Sequence, residues 1–295
     1  MSNTLESLRK KIGDAQDLQT VVRTMKAMAA SNIGQYEKSV SALSDCYRTV
    51  ELGLGACFRK SDSILLKEEP KKQTTSVEIA ALVFGSDQGL VGRFNDDIAD
   101  YAIHELGTFP SKPKVWAVGE RVHERLLEAK LSILGVFEVP SSIRTITPLI
   151  GQILDESESR ESHELHLYYN RPTGGAVYTP VSQRLLPLDE LWRSNLAKKP
   201  WPTTTLPEVM GTYQFTLKAF IRGYLFYSLF RGCAESLASE NSSRLAAMQR
   251  AEKNINDLLG TLTSKLHSLR QSSIDEELFD VVAGFEALKH KNSER

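Results

Sequence analysis

The sequence predicts an α/β protein with long helices. Residues 1–69 and 208–295 are expected to pair as an antiparallel two-helix coiled coil, and residues 70–207 to form a central α/β domain with a mostly parallel sheet. Three observations carry this. All eleven prolines of the 295-residue chain lie between Pro70 and Pro207, and proline is what a long helix excludes. Each proline-free end carries apolar residues at a seven-residue beat. Between the ends, apolar runs of strand length alternate with helical stretches, the pattern of a Rossmann-like domain.

At the C-terminal end, Leu245, Met248, Ile255, Leu259, Leu262, Leu266 and Leu269 recur at alternating steps of three and four, with Glu252 filling one slot. Such a stripe drives one helix onto another. Eighty helical residues would reach roughly 120 Å, too long for the interior of an ordinary domain. The partner is the N-terminal end. There Leu8, Ala15, Val22, Ala29, Tyr36, Leu43 and Val50 are seven apart, and Leu5, Ile12, Ile33, Val40, Tyr47 and Leu54 fit the companion position, interrupted by Gln19 and Lys26.

The helices must run antiparallel, because the compact middle returns the chain to its starting base. Two registers compete. One pairs Val22 with Met248, Ala15 with Ile255 and Leu5 with Leu266, and sets Glu252 opposite Gln19. The other sets Glu252 opposite Lys26 and leaves Leu5 against Ser273. Burying a leucine contributes about 1.5–3 kcal/mol, a partly solvated ion pair about 0–1 kcal/mol, so the first is expected. Past Leu269 the beat breaks. Leu278, Val281, Val282, Phe285 and Leu288 keep an apolar face with no N-terminal helix left to cover it, which marks a partner site.

In the middle, Lys67 to Thr75 reads as a linker and Val77 to Phe84 as a buried strand ending at Gly85. Strands follow at Val115–Val118, Leu131–Val139, Leu165–Tyr169 and Val177–Leu185. Helices fall around Ile98–Leu106, over Glu120–Ala129, and over Ile143–Asp155 despite Pro148. Leu186 to Pro207 is expected to be a loop.

The totals exclude several function classes. A net charge of −1 favours neither nucleic acid nor anionic lipid. No run of apolar residues is long enough to span a membrane, and no secretion leader is legible. Cys46, Cys57 and Cys233 lack metal spacing and read as reduced, packed thiols. His163 and His166 lie beside a strand pattern, which makes a metal pair improbable. There is no GxSxG and no recognisable Cys–His pattern. Gly85, Gly89 and Gly92 follow a strand and precede a helix, where a phosphate loop would sit, but the spacing is not GxGxxG and Asp87 would repel a phosphate. No cofactor or metal is expected.

Four stretches carry a family resemblance: RTMKAMAASN (Arg23 to Asn32), GSDQGLVGRFN (Gly85 to Asn95), LASENSSRLAAM (Leu237 to Met248) and RQSSIDEELFDVVAGFEAL (Arg270 to Leu288). In this order they resemble the gamma subunit of F-type ATP synthases. The resemblance implies a non-catalytic central rotary shaft, peripheral to the cytoplasmic face of a bacterial inner membrane or an equivalent coupling membrane. Its partners would be the alpha and beta subunits of the catalytic ring, the epsilon subunit and the c-ring of the membrane sector. It implies no nucleic-acid partner and no direct membrane insertion. Met25 matches a methionine that faces the catalytic subunits, and Arg270 with Gln271 a pair that meets a beta-subunit loop. With Lys26 and with Ile274, Leu278 and Val282 of the uncovered face, these are the expected contacts to the beta subunits. Gly85, Asp87, Gly89, Gly92 and Arg93 are the expected functional residues of the central loop.

The chain departs from the family's GLCGGFN loop, with Val91 for the cysteine and Arg93 for a glycine. A side chain at Arg93 implies a shifted backbone or a different neighbour there. Lys26 stands for a commoner acidic or apolar residue and Asn32 for a basic one. Together the departures suggest a divergent branch; the resemblance implies coupling to protons or sodium, and an alternative complex that moves sodium is one reading of them. Two other readings fit the periodicity alone: a nucleotide-dependent α/β enzyme with a helical arm, and a coiled-coil scaffold.

Overall fold

The computed structural model describes residues 5–61, 79–159, 164–174, 177–205, 208 and 212–293. In chain order the elements are α1 (Leu5–Ser61), β1 (Ile79–Phe84), α2 (Phe94–Leu106), β2 (Lys114–Val118), α3 (Glu120–Glu128), β3 (Ser132–Phe137), α4 (Ile143–Ser159), β4 (Glu164–Gly174), β5 (Val177–Leu186), α5 (Glu190–Lys198) and α6 (Tyr213–Ser293). Contacts divide the chain into two units, Met1–Met28 with Ala247–Arg295, and Ala29–Ala246. The long helices α1 and α6 contribute to both.

The larger unit is built on a five-stranded sheet of order β3-β2-β1-β4-β5. β1 pairs parallel with β2 and β4, and β2 with β3; only β5 runs antiparallel, against β4. Every residue of β1 is buried because both faces of the sheet are covered. Ala80, Leu82 and Phe84 point to a core shared with α4, α6 and the Tyr36–Phe58 part of α1. Ala81 and Val83 point to a second core under α2 and α3. The two-residue alternation of a strand sorts one apolar run into two cores.

The expected strands and helices of the middle are present, and α4 continues through Pro148. One expectation fails: Leu186 to Pro207 is not a plain loop, because it contains α5. Its nine residues show little sequence periodicity, and it is held by packing. Leu196 is buried, the Trp192 ring lies 4.8 Å from that of Tyr224, and α5 approaches α1 so closely that a Cβ on Gly55 would stand 2.5 Å from the Leu196 carbonyl oxygen. The expected linker Lys67 to Thr75, Val77 and His163 lie outside the described residues.

In the smaller unit the heptad reading holds residue by residue. Leu8, Ala15 and Val22 are buried, and Leu5, Ile12, Gln19 and Lys26 are half-buried. On α6 the same is true of Met248, Glu252, Ile255, Leu259, Leu262, Leu266 and Leu269. Val22, Met248 and Ile255 form its buried cluster, lined by Met25, Ala247, Ala251 and Leu259. The helices run antiparallel, as Gln19 bonding Asn256 and Lys26 bonding Glu252 require.

The expected register needs correction. Glu252 does not face Gln19; it pairs with Arg23 and Lys26, while Val22 keeps Met248 as a neighbour and also gains Ile255. The true register falls between the two candidates. Interdigitating side chains place each residue between two slots of the facing helix, so the charge match and the apolar contacts are satisfied together.

Candidate partner-binding surfaces

In the larger unit, the loop that follows β1 lies at the carboxyl end of the strand where the sheet order changes direction, between β1 and β4. Open α/β sheets hold ligands in that crevice. Here the chain's own groups bond to one another across this end of the sheet. Asp87 Oδ1 accepts the N–H of Glu120, the first residue of α3, at 3.0 Å, and Oδ2 accepts the N–H of Val139 at 2.9 Å. The helix N-terminus, where a phosphate would be favoured, is thus occupied by a carboxylate. Asn95 Oδ1 accepts the Ser86 N–H at 2.9 Å, and Asn95 Nδ2 donates to Ser86 Oγ at 2.8 Å.

From the other side α6 closes the crevice. Ser243 donates to the Val91 carbonyl at 2.5 Å and Ser239 to the Asn170 carbonyl at 3.0 Å; Asn170 Nδ2 in turn donates to the Phe94 carbonyl at 2.9 Å. Asn170 was not singled out from the sequence, and Ser239 and Ser243 entered only within the stretch Leu237 to Met248, with no role of their own. Their signal is the polar run of LASENSS inside a long helix, where Ser239, Glu240, Asn241, Ser242 and Ser243 are all buried. Burial pushes the Glu240 carboxyl above its ordinary range, against the opposing effect of Arg244 at 2.6 Å. Burial, then the nearby Glu240, pushes the Tyr36 hydroxyl up to about 12.

The loop itself is displayed outward. A Cβ on Gly85 would strike Val122 at 2.4 Å, so this glycine serves close packing, whereas Gly89 has open space around it. Positive φ falls on Gly92 (61°) and on Leu90 (63°), whose side chain is 62% exposed. Arg93 is accommodated without a positive φ. Its φ of −88° is open to any residue, and its guanidinium reaches Asp97 at 3.2 Å.

In the smaller unit, Glu252 is held by two cations: Arg23 Nε lies 3.0 Å from Oε1 and Lys26 Nζ 2.5 Å from Oε2. Lys26 first, then Arg23, keeps the Glu252 carboxyl below its usual range. Met25 is half-buried, packed against the cluster of Val22, Met248 and Ile255. Arg270 and Gln271 are exposed, and among the described residues no side-chain hydrogen bond or ion pair holds them. Beyond them Ile274 is 54% exposed, Leu278 60%, Phe279 73%, Val281 70% and Val282 46%, an apolar face that nothing in this unit covers. The side chains of Phe285 and Leu288 lie outside what the structure describes. Met25 and Lys26 on α1 are separated from Arg270, Gln271 and the apolar face by several turns of the coiled coil, so they form two surfaces rather than one.

A family model described as ATP synthase matches residues 4–288. Among similar curated proteins, the ATP synthase gamma chain of Mycoplasma mobile is 27% identical over 96% of this chain and 98% of its own length. That of Glaesserella parasuis is 26% identical over 96% and 99%. Among solved structures, the rotor of the Euglena gracilis mitochondrial ATP synthase has a TM-score of 0.62 at 13% identity, covering 92% of this chain and 98% of the other. The central stalk and c-ring structure of the Tetrahymena thermophila enzyme has a chain with a TM-score of 0.54 at 22% identity, covering 78% and 99%. At these identities the structures speak for the fold.

Proposed function

This chain belongs to the gamma-subunit family of ATP synthases, and from that premise we propose that it is the central rotary shaft of such a complex, a non-catalytic subunit. Ion flow through a membrane ring turns the shaft, and the shaft biases the conformations of catalytic sites carried by other chains. A rotating asymmetric partner does this by contacting each site differently at each angle, which shifts the equilibrium between site states. The partners of the reading are the alpha and beta subunits around the coiled coil, and the epsilon subunit and c-ring at the central domain. Among the described residues no helix is long and apolar enough to cross a membrane; the reading has the chain peripheral, on the cytoplasmic face of a bacterial inner membrane or an equivalent coupling membrane.

The observation that carries it is the uncovered apolar face from Ile274 to Val282. So many large apolar groups in water at one end of a long helix are costly unless a partner encloses them. Met25, Lys26, Arg270, Gln271, Ile274, Leu278 and Val282 are the proposed contacts to the beta subunits, and the Gly85–Arg93 loop with Asp87, Gly89 and Gly92 is the proposed contact surface of the central domain. The test is to delete residues 274–295 and purify the complex from the native source. The reading expects an unchanged melting temperature of the free chain and weakened recovery with alpha and beta subunits. Undiminished recovery, or loss of the fold, would count against it.

A further inference from the structure

The seam of the smaller unit is asymmetric. Viewed down α1, Gln19, Arg23 and Lys26 flank the buried line of Ala15 and Val22 on one side, and Leu18, Val21 and Met28 flank it on the other. The polar flank is closed against α6 by three contacts: Arg23 and Lys26 each hold one oxygen of Glu252, and Gln19 Nε2 donates to Asn256 Oδ1 at 2.5 Å. The apolar flank is open, with Leu18 and Val21 each 54% exposed and Met28 61%. Over the stretch from Leu18 to Met28 hydrophobic burial alone would favour the reverse arrangement, whereas nearer the N-terminus the flank of Gln19 and Lys26 carries the half-buried Leu5 and Ile12. Rolling α1 about its axis would carry Leu18 and Val21 toward α6 and lift Lys26 out of the seam. The same roll would strip Glu252 of both cations.

We propose that Glu252 is a rotational-phase lock: by pairing with Arg23 and Lys26 it sets the face that α1 turns toward α6, and so keeps Leu18, Val21 and Met28 pointing outward. Charged residues at core-type positions of a coiled coil select one arrangement among several at some loss of stability. Glu252 is the one charge in the apolar stripe of α6 from Leu245 to Leu269, and Lys26 the one charge in the stripes of α1 within this unit, and the structure brings them together. The outward stripe is the product of the lock, available to whatever surrounds the coiled coil. The inference goes beyond the shaft reading and stands whether or not the chain rotates.

The test uses the full chain carrying Cys46→Ser, since Cys57 and Cys233 are buried. Single reporters, Val21→Cys and Val22→Cys, are labelled with a water-soluble maleimide. In this background Val21→Cys should react much faster than Val22→Cys. Adding Glu252→Gln, which keeps the shape and removes the charge, should lower that ratio by about fivefold, the effect of a partly exposed ion pair. Reversing all three charges (Arg23→Glu, Lys26→Glu, Glu252→Lys) should restore it. An unchanged ratio in Glu252→Gln would overturn the proposal. Equal acceleration at both sites would also overturn it, because the helices would then be separating rather than rolling. Circular dichroism of each variant confirms that the comparison is between folded chains.

Discussion

Asp87 and Glu120 are joined at the mouth of the sheet: Asp87 Oδ1 accepts the backbone N–H that opens α3 at 3.0 Å, while its second oxygen accepts the N–H of Val139 at 2.9 Å. One side chain thus caps a helix and anchors the segment that leaves β3. Caps of this kind contribute about 0.5–2 kcal/mol, and hydrogen bonds to a charged group lie toward the upper end. Asp87→Ala should therefore cost about 2 kcal/mol, read as a lower urea midpoint with an unchanged slope. Asp87→Asn should cost less, because one acceptor remains. An unchanged midpoint in the alanine variant would mean that solvent replaces the carboxylate without loss.

Lys130 gives a prediction of opposite sign. It ends α3 with φ of 58°, its N–H bonded to the Leu127 carbonyl at 2.9 Å. This is the left-handed position that glycine fills without strain. An exposed lysine there gains nothing from burial, so Lys130→Gly should stabilise the chain by about 1 kcal/mol, visible in the same titration. A loss of stability would show that the lysine side chain makes a contact worth more than the backbone strain.

Arg270 is exposed and unpaired among the described residues, and exposed charges contribute little to folding. Arg270→Ala should leave the melting temperature of the free chain unchanged. In the assembled complex it should slow steady-state ATP turnover or loosen its coupling to ion flow. A large drop in melting temperature with normal turnover would make the residue structural.

What the sequence made legible was periodic. Heptads such as Leu8–Ala15–Val22 fix a face whatever the neighbours do, and the run Ile79–Phe84 can only be a strand covered on both sides. What escaped was set by tertiary contact. α5 is too short for periodicity to declare it, and it rests on Leu196 and Trp192 packing into a core assembled from distant segments. The roles of Ser239, Ser243 and Asn170 depend on carbonyls far away in the chain. The register escaped because charge and burial were weighed as rivals, whereas interdigitation lets Glu252 meet Lys26 while Val22 stays with Met248. For the proposed contact residues, sequence and structure supply different parts: the match to family motifs picks out Arg270 and Gln271, and their exposure, with no side-chain partner among the described residues, suits them to meet another chain.

The central claim is that this chain turns within a ring of catalytic subunits. Val177, 63% exposed on the central unit, offers a place to attach a marker through Val177→Cys in the Cys46→Ser background. With the alpha/beta ring fixed to a surface and ATP supplied, the marker should rotate in one direction, pausing once for each catalytic site. A marker that stays fixed while the same complexes hydrolyse ATP would contradict the account.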